Sequence, residues 1–259
     1  SLYENERLLA DSRHRLDQLV RDIRLAIDRP SVSPEVEDYL VFSVEHCSPS
    51  AIQALGTPFE PMFAHVLRSE RTRLSDQEIR EATSCRISFS RDDTALIDWN
   101  AAIVFGEDMD DVRAVLEFVN VELLEMRTLD EQLDQALDQG YVALTRKARV
   151  TSWLPGSHEA ALTQIGQLQV DSAVLFERVA NTLKLLGDQY LARVYRLASQ
   201  RFHLEAWDAS IIRKLQTLDS IYGKMSDRTT TQRMEVLEWI IIALITISIA
   251  VSFLPMTSH

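Results

Sequence analysis

Few residues in this chain are of types that do chemistry, and none stands in a constellation that chemistry requires. The two cysteines, Cys47 and Cys85, could act as thiolate nucleophiles or metal ligands, but they form no Cys-x-x-Cys pair. The six histidines, His14, His46, His65, His158, His203 and His259, are scattered singly, none with a second His or Cys at a metal-binding helical spacing. His46 adjoins Cys47, but neighbours on a strand point to opposite faces, which argues against a dyad. There is no Gly-x-x-x-x-Gly-Lys phosphate loop, no Gly-x-Gly-x-x-Gly fingerprint, no His-Glu-x-x-His and no Gly-x-Ser-x-Gly. Three polar groupings remain. The acidic run Glu107-Asp108-Met109-Asp110-Asp111 could hold a divalent cation, or could open a helix whose N-terminus favours Asp. Asp98-Trp99-Asn100 could be a binding spot or a turn with a packed Trp. Arg201, His203 and Glu205, close to Trp207, suit a polar network holding helices together. These readings imply no catalytic residue, no cofactor and no metal.

The elements around these groupings follow from periodicity. Residues 1–30 hold an amphipathic helix from about Asn5 to Ile27, with Leu9, Leu16, Leu19, Val20, Ile23 and Ile27 at helical spacing. Pro30 and Pro34 end it. Residues 35–110 read as α+β. Asp38–Cys47 is strand-like, Ser48-Pro49 opens a short helix through Ile52 and Leu55, and Met62–Leu67 is helical. Ser75 and Glu78 stand in capping-box spacing before a helix that reaches about Thr83. Cys85, Ile87 and Phe89 alternate with polar residues, Arg91-Asp92-Asp93 makes a turn, Thr94–Asp98 pairs back, and Ala101–Phe105 adds a strand. The expected sheet is small and antiparallel.

Residues 110–236 are read as helix. Val112, Val115, Leu116, Val119, Leu123, Met126, Leu129, Leu133 and Leu137 make one stripe, and Gly140 suits the position just past a helix end. Arg149–Pro155 is a connector. A second long helix is expected from His158 to Leu186, with Ile165, Leu168, Leu175, Val179, Leu183 and Leu186 on one face, and a third from Gln189 to Leu204. A last helix begins near Trp207. Its residues Ile211, Leu215, Leu218, Tyr222 and Met225 follow coiled-coil spacing and are candidates for an oligomer seam.

Residues 237–256 are read as one C-terminal transmembrane helix. Trp239–Leu254 carries no charge and no Gly, and its insertion is favoured by about 3–6 kcal/mol. Arg233, Glu238 and Trp239 would mark the membrane interface, and Ser248 and Ser252 form a small-xxx-small pair for helix approach. Lys224, Arg228 and Arg233 precede the run, so the bulk of the chain would be cytoplasmic, on the inner membrane as a single-pass protein, with the bilayer as a partner. The N-terminal SLYENERLLADSRHRL has no apolar h-region, so it does not read as a signal peptide.

Bulk properties agree with a globular chain: 46% hydrophobic, 25% charged, and seven Gly, few for 259 residues. A net charge of -12 repels phosphate backbones, so direct nucleic-acid binding is not expected, the run Arg68, Arg71 and Arg73 reading as a solvated helix end.

The stretches GDQYLARVYRLASQRFHLEAW, SIIRKLQTLDSIYGKMSD and RMEVLEWIIIALITISIA resemble the required-for-meiotic-nuclear-division family, LEWIII being its most specific mark. DWNAAIVF and DVRAVLEFVNVELLE look like its N-terminal part. The resemblance implies an α+β N-terminal region, a helical C-terminal region, a terminal membrane anchor and self-association, and it carries no catalytic residue across. The function expected is a non-enzymatic, homo-oligomeric, tail-anchored scaffold, with an unidentified protein partner. The alternative is a membrane-tethered enzyme or small-ligand sensor using the N-terminal α+β region, at Asp98–Asn100 or the acidic loop after Phe105.

Overall fold

The computed structural model describes residues 5–28, 30, 32–46, 58–145, 166–175, 177, 188–224 and 242. They divide into two compact units, one of Ser1–Glu131 with Ser172–Ile211, the other of Gln132–Asp171 and the residues from Ile212 on.

The chain begins with α1, Glu6–Asp22, capped by the Asn5 side chain, whose Oδ1 accepts from the backbone N–H of Arg7 at 3.0 Å and of Leu8 at 3.4 Å. A short 3-10 turn, Arg24–Ala26, follows. No residue of α1 is buried. The remaining elements of the first unit begin with strand β1, Leu40–Val44, then helices α2, Glu60–Arg68, and α3, Asp76–Thr83. Pro61 sits in the first turn of α2, and Ser69 ends that helix in the left-handed region at φ 50°. Ser75 caps α3 as its spacing predicts, its Oγ accepting from Glu78 N–H at 3.2 Å.

Strands β2, Arg86–Ile87, β3, Thr94–Ile97, and β4, Ala101–Phe105, complete a four-stranded sheet of order β1-β4-β3-β2. Between β2 and β3, Asp93 fixes the turn by accepting from the N–H of Phe89 at 2.7 Å and of Ser90 at 2.9 Å. β2–β3 and β3–β4 are antiparallel, but β1 pairs with β4 in parallel, Leu40 opposite Ala101 and Val44 opposite Phe105. The sheet is therefore mixed, not antiparallel as its local pattern suggests. A tight hairpin forces antiparallel pairing, whereas the long connection carrying α2 and α3 lets β1 run beside β4 in the same direction.

Every residue of β3 and β4 is buried, so these strands are covered on both faces. Phe63 and Leu67 of α2 pack with Leu96, Ala101, Ile103 and Phe105, with Leu40 and Phe42 at the margin. α3 and α5, Gln189–Arg201, lie against β3.

Helix α4, Asp110–Thr145, buries the expected stripe: Val112, Val115, Leu116, Val119, Leu123, Met126, Leu129 and Leu133. It runs straight through Gly140, which is no helix end. A Cβ there would stand 3.1 Å from Ile221 Cγ2, so the glycine serves close approach of a neighbouring side chain. Asp188 caps α5, its Oδ1 accepting from Tyr190 N–H at 2.7 Å. His203, at φ 56°, turns the chain between α5 and the helical run 204–224. Residues 166–175 are helical too, with Leu168 and Leu175 buried.

The membrane reading does not stand. Among the described residues no helix is long and apolar enough to cross a membrane. The longest, α4, carries charge in almost every turn, from Asp111 and Arg113 through Glu117 and Glu122 to Arg127. The proposed span, residues 237–256, lies, except Ile242, outside the described residues. The tail anchor, the bilayer partner and the single-pass inner-membrane placement are accordingly given up.

Candidate functional site

The first polar centre forms where the β3–β4 turn meets three helices. Asp98, at the end of β3, is fully buried. Its Oδ1 accepts from Arg201 Nε at 2.7 Å and from Arg201 Nη2, while Arg68 Nε lies 2.9 Å from its Oδ2. Arg201 also reaches Glu81 of α3, Nη1 to Oε1 at 2.6 Å. That donated hydrogen bond and charge hold the Glu81 carboxyl below its usual range. Arg68 stacks over the Trp99 ring, 5.6 Å from its centroid, and the Tyr39 hydroxyl donates to Asp98 O at 3.1 Å. One carboxylate thus ties together α2, α3, α5 and the hairpin turn. Its charge is opposed by two guanidinium groups.

Beside it an open groove of about 1050 Å³ runs past Trp99, Asn100, Arg68, Glu37, Arg127 and the start of α1. Its two cations are engaged, Arg68 by Asp98 and Arg127 by Glu37.

A second centre lies between α4 and α5. Glu122 is 3% exposed, and the Tyr195 hydroxyl donates to it at 2.9 Å. Burial above all, opposed by the Tyr195 hydrogen bond and helped by the nearby Asp208 and Glu125 charges, brings the Glu122 carboxyl up to about 7. Burial and the Glu205 charge likewise raise Asp208. These side chains, with Arg196 and Ser199, line a cleft of about 350 Å³. Among the described residues, Ser199 Oγ and Asp208 Oδ1 are buried without a hydrogen-bond partner.

Glu122 makes stability depend on pH in a defined direction. Its folded pKa lies above the ordinary 4.5, so the fold binds this proton more tightly than the unfolded chain. The contribution is complete below about 4.5 and is lost as pH rises through about 7. Glu122→Gln keeps an oxygen to accept from Tyr195 and removes the charge. The variant should exceed the native chain by about 3 kcal/mol at pH 8 and by less than about 1 kcal/mol at pH 5. Urea unfolding at the two pH values measures this; a difference independent of pH would contradict it.

The acidic run opens helix α4. Asp110 and Asp111 stand in the first turn of α4, and Arg113 pairs with Asp110 at 3.1 Å. Glu107 lies 3.6 Å from His46, both exposed. Among the described residues no group of three or more His, Cys, Asp or Glu is placed to hold a metal ion. Of Arg201, His203 and Glu205, Arg201 enters the Asp98 centre, Glu205 lines the cleft, and His203 makes the turn. Trp207 faces Arg127, 5.9 Å from guanidinium to ring centroid. Cys85 is a free thiol; Cys47 lies outside the described residues.

Of the seam candidates, Ile211, Leu218 and Tyr222 are buried within the single chain, and Leu215 is half-buried. Met225, Arg233, Glu238, Trp239, Ser248 and Ser252 lie outside the described residues.

Comparison with known proteins points elsewhere than the first resemblance. Residues 1–111 match the family described as "Uncharacterized protein MJ0711, N-terminal domain". A relative, "Uncharacterized protein MJ0711" of Methanocaldococcus jannaschii, is 24% identical over 186 residues, which cover 71% of this chain and 56% of the relative. The chain therefore spans a little over half the length of that relative. No solved structure matches. The resemblance to the required-for-meiotic-nuclear-division family is withdrawn. Most of its quoted stretches fall between 187 and 250, where amphipathic and apolar helix patterns recur in unrelated chains, whereas the matched family covers 1–111.

Proposed function

We propose that this chain is a non-enzymatic scaffold that works by binding a second copy of itself. One observation carries the reading: α1, 17 residues long, has a strongly amphipathic sequence, yet none of its residues is buried. Leu8, Leu16, Leu19 and Ile23 are all exposed. A lone helix of this length is marginal in water, and its stability ordinarily comes from packing its apolar face. Apolar surface of this kind, held on an otherwise well-packed domain, suits association. The sheet supports the same reading, since β3 and β4 are buried on both faces and offer no platform for a substrate. So does the Asp98 centre, whose charges are spent on each other. The test is the molar mass of the native chain by light scattering. A scaffold of this kind gives twice the mass of one chain; a monomer at every concentration tried rejects it.

A second reading, a small-ligand sensor, has one observation in its favour. The Glu122 cleft presents Ser199 Oγ and Asp208 Oδ1, both buried and unpaired among the described residues. A small amine bound there would raise the melting temperature of the native chain but not that of Asp208→Ala. Equal melting temperatures with and without each of a panel of small amines would remove this reading.

A further inference from the structure

We infer that α1 pairs with α1 of a second copy in antiparallel orientation, about a two-fold axis near Arg15 and Leu16. The inference rests on the scaffold reading and gives it an interface. Leu9, Leu16 and Ile23 recur at seven-residue steps, and Ser12 and Leu19 fall on the same face, so α1 carries a continuous seam. Leu16, Leu19 and Ile23 are exposed along it, while Leu9 and Val20 are half-buried.

The charges beside the seam identify the occupant. One edge reads Glu6, Arg13, Asp17 and then Arg24 in the turn that follows the helix. The signs alternate, minus, plus, minus, plus, and the spacings are seven, four and seven, a palindrome. Reversed end to end, the series presents the opposite sign at every position. In an antiparallel pair the same edge of each helix meets itself, so Glu6 faces Arg24 of the second copy and Arg13 faces its Asp17. Symmetry makes each of these contacts twice. Leu16 then meets its counterpart near the axis, with the exposed Leu19 of each copy beside it, while Leu9 borders the groove of its own chain.

Composition disfavours a lipid surface as the occupant. Within α1, Arg7, Arg13, Arg15 and Arg21 are balanced by Glu6, Asp11, Asp17 and Asp22. Helices that lie on anionic bilayers carry an excess of Lys and Arg on the polar face, and this one carries none.

The experiment is sedimentation equilibrium on the full chain and three variants, with circular dichroism as the check on folding. Arg13→Glu turns two symmetry-related attractions into repulsions and should weaken the dimer about tenfold; Asp17→Arg should do the same. Arg13→Glu combined with Asp17→Arg restores opposite signs and should return the native dissociation constant. Arg13 and Asp17 also stand four apart on their own helix, so equal helix content of all three variants by circular dichroism is what assigns the rescue to the contact between copies. The pairing is overturned if either single variant dimerises as the native chain does, or if the double variant is as weak as the two single effects combined. A native dimer insensitive to all three variants removes the α1 seam and leaves the scaffold reading standing. A native chain that is monomeric, or that is monomeric and sediments with anionic vesicles, removes both.

Discussion

Asp98→Ala is expected to cost about 3–5 kcal/mol of folding stability. The carboxylate is fully buried, with Arg201 on one oxygen and Arg68 on the other. Its removal leaves two guanidinium groups side by side, 15% and 12% exposed, with their shared counter-charge gone. Such groups repel each other and remain partly cut off from water, the situation in which breaking an ion pair costs most. Glu81 and Glu78 still hold part of each guanidinium, which keeps the loss within this range. Asp98→Asn should cost less, because its carbonyl oxygen still accepts a hydrogen bond while the charge is lost. The order Ala worse than Asn worse than native, in urea unfolding, is the expected result. A loss below about 1 kcal/mol for Asp98→Ala would mean that the centre does not join the elements as described.

How much of this was legible in the sequence depended on how local the cause was. The hairpin that turns at Arg91-Asp92-Asp93, the strand Ala101–Phe105, the Ser75 cap and the long stripe of α4 are set by neighbours a few residues apart, and local pattern finds them. The direction of β1 is not a local property: it depends on what joins β1 to β4, and nothing in Leu40–Val44 encodes it. Gly140 misled because a glycine in a helix reads as an end signal, whereas here its missing Cβ makes room for Ile221. Asp98 and Arg201 were each singled out, but they stand 103 positions apart, and no spacing rule joins them. Glu122 and Tyr195, 73 positions apart, were missed. Glu122 sits on the long stripe between Val119 and Leu123, and a carboxylate on an apolar face was the available signal. The stripe of α1 was read correctly as amphipathic, but amphipathicity does not say what covers the apolar face. Among the described residues Leu16, Leu19 and Ile23 of that face stay exposed.

The second large effect bears on that face directly. Leu16→Asp with Leu19→Asp should leave the single chain folded, with native secondary structure by circular dichroism, because both positions are exposed in the single chain. In a paired seam each substitution buries a carboxylate with no counter-charge, a cost of several kcal/mol per dimer and hence a loss of affinity beyond a hundredfold. Sedimentation equilibrium of the native chain beside this variant is therefore the most direct test of assembly through α1. The native chain should be a dimer that dissociates on dilution, and the doubly substituted chain a folded monomer at concentrations where the native chain is paired. A variant that dimerises as tightly as the native chain would contradict the account.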